Sequence, residues 1–266
     1  MVRRPLGNDH HGDDTLLVTS DRTRTEAVAA QTATETGKLR NLIKGAHVVL
    51  WDFDGPICRL FAGHSAERVA TELVGWLEGR GLHGLLSEDE RELLDPHAVL
   101  RAVDHRHPGS DLVTELEARL TEEELRATAS AWPTPYADPL IRTWSALGRR
   151  LAVATNNSPL VVRAYLDSRG LSACFAPHVY GRTRELRRLK PDPHCLNRAL
   201  RATGVAPAKA LMIGDTPADH EAALRAGVPF LGYAHNARKE KLLRESGATT
   251  VVDSLEPVLR IVRGQA

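Results

Sequence analysis

Cysteine is scarce and scattered: Cys58, Cys174 and Cys195 are widely spaced and odd in number. Neither a disulfide framework nor a CxxC zinc or redox site is indicated, and a reducing cytoplasm is the expected setting. Long apolar runs are also lacking. No window approaches the ~20 apolar residues of a membrane span. The start MVRRPLGNDHHGDDTLLV carries an apolar run far shorter than a signal-peptide core. The sequence therefore predicts a soluble protein with no membrane partner. Neither sign of charge is in excess, and a formal net charge of +1 gives no global pull toward nucleic acid or anionic lipid. Lysine is rare beside arginine, occurring at Lys38, Lys44, Lys190, Lys209, Lys239 and Lys241, so a lysine inside a motif stands out.

The remaining composition is that of a globular protein, with 42% hydrophobic and 26% charged residues over 266 positions. That length suits one large domain or two unequal ones at ~150 residues each. Residues 1–40 are rich in Thr, Asp, Arg and Ala and poor in large apolar groups. They bury too little to offset the entropy of ordering, so they read as a flexible tail. The cluster His10, His11, Asp13 and Asp14 within it reads as solvated and takes no role.

Structure begins with AHVVLWDFDG, whose apolar run 48–51 between Gly45 and Gly55 suits a strand buried on both faces. Similar runs recur at 151–155, 210–214, 228–233 and 249–253. Helical patterns lie between them: 136–150, 159–169 with Pro159 just inside a Ser158 cap, 193–203 ending at Gly204, and 217–226 ending at Gly227. Strand and helix in alternation predict an α/β fold with a doubly wound parallel sheet. The stretch 59–132 breaks the rhythm. It contains no convincing strand and three helical patterns, 66–78, 96–104 and 111–130, each with one apolar stripe. The expected organisation is a catalytic core of 41–58 and 133–266 with an all-helical insert at 59–132, returning through WPTPY.

Four short segments fall at the carboxyl ends of strands, the edge where open α/β sheets place ligands. Asp52 and Asp54 in DFDG are two apart on an extended segment, so both carboxylates can face one site. One can attack while the other handles protons. Thr155 and Asn156 in VATNNS offer a hydroxyl and an amide to phosphoryl oxygens. Lys190 in LKPDP is a compact positive charge before a helix whose N-terminus also favours anions. Asp215 and Asp219 in IGDTPAD add carboxylates, and three carboxylates converging without His or Cys suit Mg²⁺. Taken singly, each segment has a plainer reading as a turn, a helix cap or a loop. Their occurrence together, in order on successive strand–helix units, argues for a site.

In their order, DFDG, ATN, LKPDP and GDTPAD resemble the four motifs of the haloacid dehalogenase superfamily, over residues from about 45 to 255. The insert after the first motif is similar to that of the helical-cap phosphatases, phosphoglycolate phosphatases among them. The resemblance implies a Rossmann-like core with a cap and a Mg²⁺-dependent phosphomonoesterase. It makes Asp52 the nucleophile that forms an aspartyl-phosphate and Asp54 the acid and base. It places Thr155, Asn156, Lys190 and Gly55 around the phosphoryl group. It assigns the metal to Asp52, the Asp54 backbone carbonyl and Asp215, with Asp219 in support. Family members that dehalogenate carbon lack an acid at the second Asp, so Asp54 favours phosphoester chemistry. Two departures stand out: Pro56, where the family usually has Thr or Val, removes an amide donor, and ICRLFAGHS lacks the Asp-Ser pair common in phosphoglycolate phosphatases.

Specificity is expected from the insert and the loop leading into it, which points to Arg59, Phe61 and His64, with His105, Arg106 and His107 as a second candidate group. The run Arg182, Arg184, Arg187 and Arg188 lacks the interleaved aromatics of a nucleic-acid surface and suits attraction of a small anion. The expected partner is a small phosphorylated metabolite, a sugar, nucleotide or secondary-metabolite phosphate, with the protein a monomer or homodimer and no nucleic acid involved. A phosphomutase and a non-catalytic binding or regulatory protein on the same fold are the alternatives.

Overall fold

The computed structural model describes residues 35–265. The tail expected at 1–40, with its His and Asp cluster, lies mostly outside them. The chain divides into a unit of 1–38 and a unit of 39–266, and the elements named below belong to the second.

The strands are β1 (Val48–Trp51), β2 (Cys58–Arg59), β3 (Trp132–Pro133), β4 (Arg150–Ala154), β5 (Val179–Tyr180), β6 (Ala210–Gly214), β7 (Phe230–Tyr233) and β8 (Val251–Val252); all but β2 and β3 run parallel in one sheet, in the order β5-β4-β1-β6-β7-β8. Strand β1 is central, in register Val48↔Arg150 with β4 and Val48↔Ala210 with β6. Its four residues are all buried. Val49 and Trp51 enter one core with Leu140, Trp144 and Tyr165, whereas Val48 and Leu50 enter another with Leu196, Ala199 and Ala222. Alternating residues serving two cores is the packing that the continuous apolar run implied. From β1 the chain builds outward to β4 and β5, then crosses to β6 on the other side. The crevice at that reversal, beyond the carboxyl ends of the strands, is where such sheets bind ligands.

The sequence missed β5, because two residues between Pro177 and Gly181 carry no periodic signal. The run expected at 249–253 shrinks to Val251–Val252, and the helix expected at 136–150 stops at Ala146, before Gly148 turns the chain into β4 with φ 72°. Two further helices, Ala237–Glu245 and Glu256–Val262, follow β7 and β8.

Between β1 and β4 lie the helices Ala66–Glu78, Glu88–Glu92, Pro96–Arg106 and Asp111–Thr128. Each starts on a side chain that accepts a backbone N–H: Ser65 from Arg68, Ser87 from Glu90, Asp95 from His97 and Ser110 from Val113. The apolar stripes of the three longer helices meet in a separate core around Leu73, Val99, Leu116 and Leu120. Truncating a fully buried residue there, such as Leu116→Ala, costs about 2–5 kcal/mol. Where the chain leaves and re-enters the sheet region, Cys58–Arg59 pairs antiparallel with Trp132–Pro133. No pattern in the sequence pointed to this ribbon. No helix among the described residues is long and apolar enough to cross a membrane.

Candidate active site

Three of the four motif segments directly follow strands, whereas Lys190, expected at a strand end, lies in a loop ten residues beyond Tyr180; all four contribute to one cavity. A cavity of about 500 Å³ is lined by Asp52, Asp54, Thr155, Asn156, Lys190 and Asp219, and also by Asn157 and the start of the helix at Pro217. Asp52 continues from β1, its N–H donating to the Ile213 carbonyl at 2.9 Å. Asp54, two residues on, accepts the Leu60 N–H on its Oδ1 at 2.8 Å. Asp219 sits in the first turn of Pro217–Ala226, where it completes a capping box with Thr216.

Lys190 is the centre of charge. Its Nζ lies 2.7 Å from Asp52 Oδ1, at an angle that leaves that oxygen without a hydrogen bond, and it bonds Asp219 Oδ1 and the Ala154 carbonyl. Burial works against its charge, yet Asp219 and Asp52 hold its ammonium well above the ordinary lysine range. Asn156 explains how it is held: its amide accepts the Lys190 N–H at 2.7 Å and donates to the Lys190 carbonyl at 3.2 Å. The Asn156 side chain thus fixes the lysine loop. The Thr155 hydroxyl faces the cavity and donates to Asn157 Oδ1 at 3.0 Å.

The expectation for Gly55 is revised. Its N–H already donates to the Cys58 carbonyl at 2.6 Å, so no phosphoryl contact through it is available. What the position requires is the absence of a side chain: φ is +119°, and a Cβ would fall 2.2 Å from the Asp215 carboxyl carbon.

Burial raises the Asp52 carboxyl to about 6, with Asp219 adding to the shift and Lys190 opposing it. Burial likewise raises Asp54, against the Leu60 N–H and the Lys239 charge. Burial thus favours the protonated form of Asp54, the form that can donate a proton. Asp215 is pushed up to about 8, mainly by burial, although Lys239 opposes the shift.

One carboxylate oxygen from each of Asp52, Asp215 and Asp219 lies within 4.8 Å of the others. Asp52 Oδ1 and Asp215 Oδ1 are buried with no hydrogen-bond partner among the described residues. Two orphaned hard oxygens, in a cluster of carboxylates facing two ammonium groups, fit a hard divalent cation. Asp219 fits a supporting place better than a ligand's. Its Oδ2 accepts the N–H groups of Asp215 and Thr216 at 3.1 and 3.0 Å and the Thr216 hydroxyl at 2.7 Å, and its Oδ1 takes Lys190. The Asp54 carboxylate lies outside this cluster.

The loop residues expected to choose the substrate do not line the cavity. Arg59 is exposed and stacks over the Trp132 ring, 5.5 Å from its centroid. Phe61 packs between the sheet core and the insert core, and His64 pairs with Glu123 at 2.9 Å. The ribbon fixes the start of this segment by pairing Arg59 with Trp132. Arg106 is engaged with Glu90. In their place the structure brings Asp95, His97 and Arg101, from the start of Pro96–Arg106, to the cavity wall. Lys239, on Ala237–Glu245, reaches the Asp215 carboxylate. Nothing in the spacing of the motifs pointed to these four; for Lys239 the scarcity of lysine was the one available signal. Arg182, read as part of an exposed basic run, is 5% exposed and ion-paired with Glu124 and Glu117.

A family model described as haloacid dehalogenase-like hydrolase matches residues 13–227. A phosphoglycolate phosphatase of Rhodospirillum rubrum is 37% identical over 127 residues, 48% of this chain and 51% of that protein. One of Pseudomonas savastanoi is 27% identical over 168 residues, 62% of this chain and 61% of that protein. The chain therefore spans about half to three fifths of these relatives' length. Among solved structures, CbbY from Rhodobacter sphaeroides in complex with phosphate superposes with a TM-score of 0.59 at 24% identity, over 79% of this chain and 94% of that one. That likeness is one of fold.

Proposed function

The chain belongs to the haloacid dehalogenase-like hydrolase family, and from that premise we propose that it is a Mg²⁺-dependent phosphomonoesterase that forms an aspartyl-phosphate on Asp52. The observation that carries the proposal is the pairing of Asp52 with Lys190 beside the orphaned oxygens of Asp52 and Asp215. A carboxylate attacks a phosphoryl dianion only where positive charge offsets the repulsion. Lys190 supplies one such charge. Mg²⁺, held by Asp52, the Asp54 backbone carbonyl and Asp215 with Asp219 behind them, would supply the rest by neutralising phosphoryl oxygens.

An Asp52 carboxylate oxygen attacks phosphorus and the ester P–O bond breaks. The protonated Asp54 carboxyl, favoured by burial, gives its proton to the departing alkoxide. Asp54, now a carboxylate, takes a proton from water, whose oxygen attacks phosphorus and returns Asp52 with release of inorganic phosphate. Lys190 and the loop of Thr155 and Asn156 hold the phosphoryl group in line during both steps. Asp95, His97 and Arg101 face the leaving group, which we take to belong to a small phosphorylated metabolite. The curated relatives are named phosphoglycolate phosphatases, so 2-phosphoglycolate heads the panel to be tried, although this chain departs from their segment after the first motif.

The test is phosphate release from a panel of phosphorylated metabolites by purified protein, with Mg²⁺ and with EDTA, beside Asp52→Asn. Mg²⁺-dependent release that the substitution abolishes is expected. Full activity in Asp52→Asn would exclude Asp52 as nucleophile.

A further inference from the structure

Outside the reacting centre, Glu124 on the insert helix Asp111–Thr128 gathers several partners. Its side chain is completely buried. Arg182, from the loop after β5, grips it with two bonds, Nη1 to Oε1 at 2.9 Å and Nη2 to Oε2 at 3.1 Å. The same carboxylate accepts the Asn157 amide at 3.0 Å and the Ser158 N–H at 3.1 Å. Ser158 was expected to cap its helix with its side chain, which makes no such bond; Glu124 on another helix takes its N–H instead. On the outer side, His97 Nε2 lies 3.1 Å from Oε1. Arg182 also donates to the Asn156 carbonyl at 3.1 Å.

These bonds run from the insert to both walls of the cavity. Asn157 holds the Thr155 hydroxyl on one side, and His97 lines the other. Burial penalises the Glu124 charge, but Arg182 and His97 bring its carboxyl down to about 2. A buried ion pair is weak evidence for stability, since apolar residues of similar volume often do as well or better. Its distinctive product is geometry. A misplacement of about 1 Å near a reacting group costs about 10²-fold in rate.

We propose that Glu124, clamped by Arg182, is a positioning residue that makes the seating of the helical insert set the geometry of loop 155–158 and of His97. The inference rests on the phosphomonoesterase reading only in that this loop is taken to receive the phosphoryl group.

The decisive variant replaces the pair by apolar residues, Glu124→Met with Arg182→Leu, in the full chain. Thermal unfolding, kcat and KM for p-nitrophenyl phosphate with Mg²⁺, and amide exchange of residues 155–158 are read together. We expect a melting temperature at or near that of the parent, kcat lower by about 30-fold or more, KM within about threefold, and exchange in the loop faster by about tenfold while β1 is unchanged. Asn157→Leu leaves the ion pair in place and cuts one link to the loop. It should lower kcat by about tenfold and serves if the double variant does not fold. Arg182→Lys keeps the charge without the fork and should fall between. A folded double variant, or failing that Asn157→Leu, with parental kcat and parental loop exchange overturns the proposal. If the parent hydrolyses no phosphomonoester, it is the phosphatase reading that has failed, and the exchange measurement alone then decides the positioning role.

Discussion

The two walls of the cavity are built differently. On the sheet side Asp52, Thr155, Lys190 and Asp219 are each at most 7% exposed, and each is fixed by neighbours on other strands or turns. On the insert side Asp95, His97 and Arg101 are only partly buried, and the Arg101 guanidinium is 3.7 Å from its nearest carboxylate, Asp95. A wall of buried, closely paired charges suits chemistry, where charge must be in place before reaction. A looser wall suits selection among leaving groups. Glu124 is the exception, an insert residue held as tightly as any on the sheet side.

The sharpest way to break the contrast is at its tight end. Asp52→Asn should lower kcat by at least about 10³-fold, since removing a covalent nucleophile costs that or more, with little change in fold. Lys190→Met should follow, lowering kcat by about 10²–10³-fold through lost charge stabilisation. It also leaves Asp52 and Asp219 buried without their counter-charge, so the melting temperature should fall as well, by an amount set by about 3–5 kcal/mol. Loss of rate with unchanged melting would mean that the lysine is not the hub the contacts describe.

A third prediction concerns pH in the metal-free protein. Asp52 and Asp215 have folded values raised from 3.8 to about 6 and about 8. A raised carboxyl binds more protons in the folded state, so its contribution to stability is complete below 3.8 and is lost as pH rises through 6 and then 8. Glu124 has the opposite sign: lowered from 4.5 to about 2, its contribution is present above 4.5 and is lost as pH falls toward 2. In EDTA the protein should therefore be most stable in mild acid and lose stability toward pH 8. A bound cation competes with those protons, so the rise in melting temperature on adding Mg²⁺ should be larger near pH 8 than near pH 5. An equal rise at both would remove Asp52 and Asp215 from the metal's ligands.

The same contrast separates what the sequence disclosed from what it hid. Strand β1 and the residues after it were legible because a run buried on both faces has a composition of its own, and because DFDG, TN and GD each follow such a strand, whereas Lys190 lies in a loop ten residues beyond Tyr180 of the unforeseen β5. The insert wall had no comparable signature. Asp95, His97 and Arg101 share a helix whose period marks its apolar face and is silent about which polar residues overlook a cavity. Arg59, Phe61 and His64 were expected there from nearness in sequence, which says nothing of the partners that engage them instead: the Trp132 ring, the two apolar cores and Glu123. Arg182 looked like one of several surface arginines because its partners, Glu117 and Glu124, lie on a distant helix.

Arg101→Ala is the mildest test, made at the loose end. Its side chain is 40% exposed and its one ion pair, with Asp95, spans 3.7 Å, so truncation should leave the melting temperature almost unchanged, because such surface pairs contribute about 0–1 kcal/mol. With a leaving group that carries a second negative charge, as 2-phosphoglycolate does, KM should rise about threefold to tenfold while kcat holds, the mark of binding lost equally from ground and transition states. With p-nitrophenyl phosphate neither constant should move by more than about twofold. A large fall in kcat on both substrates would place Arg101 with the chemistry, and the two walls would then share one task.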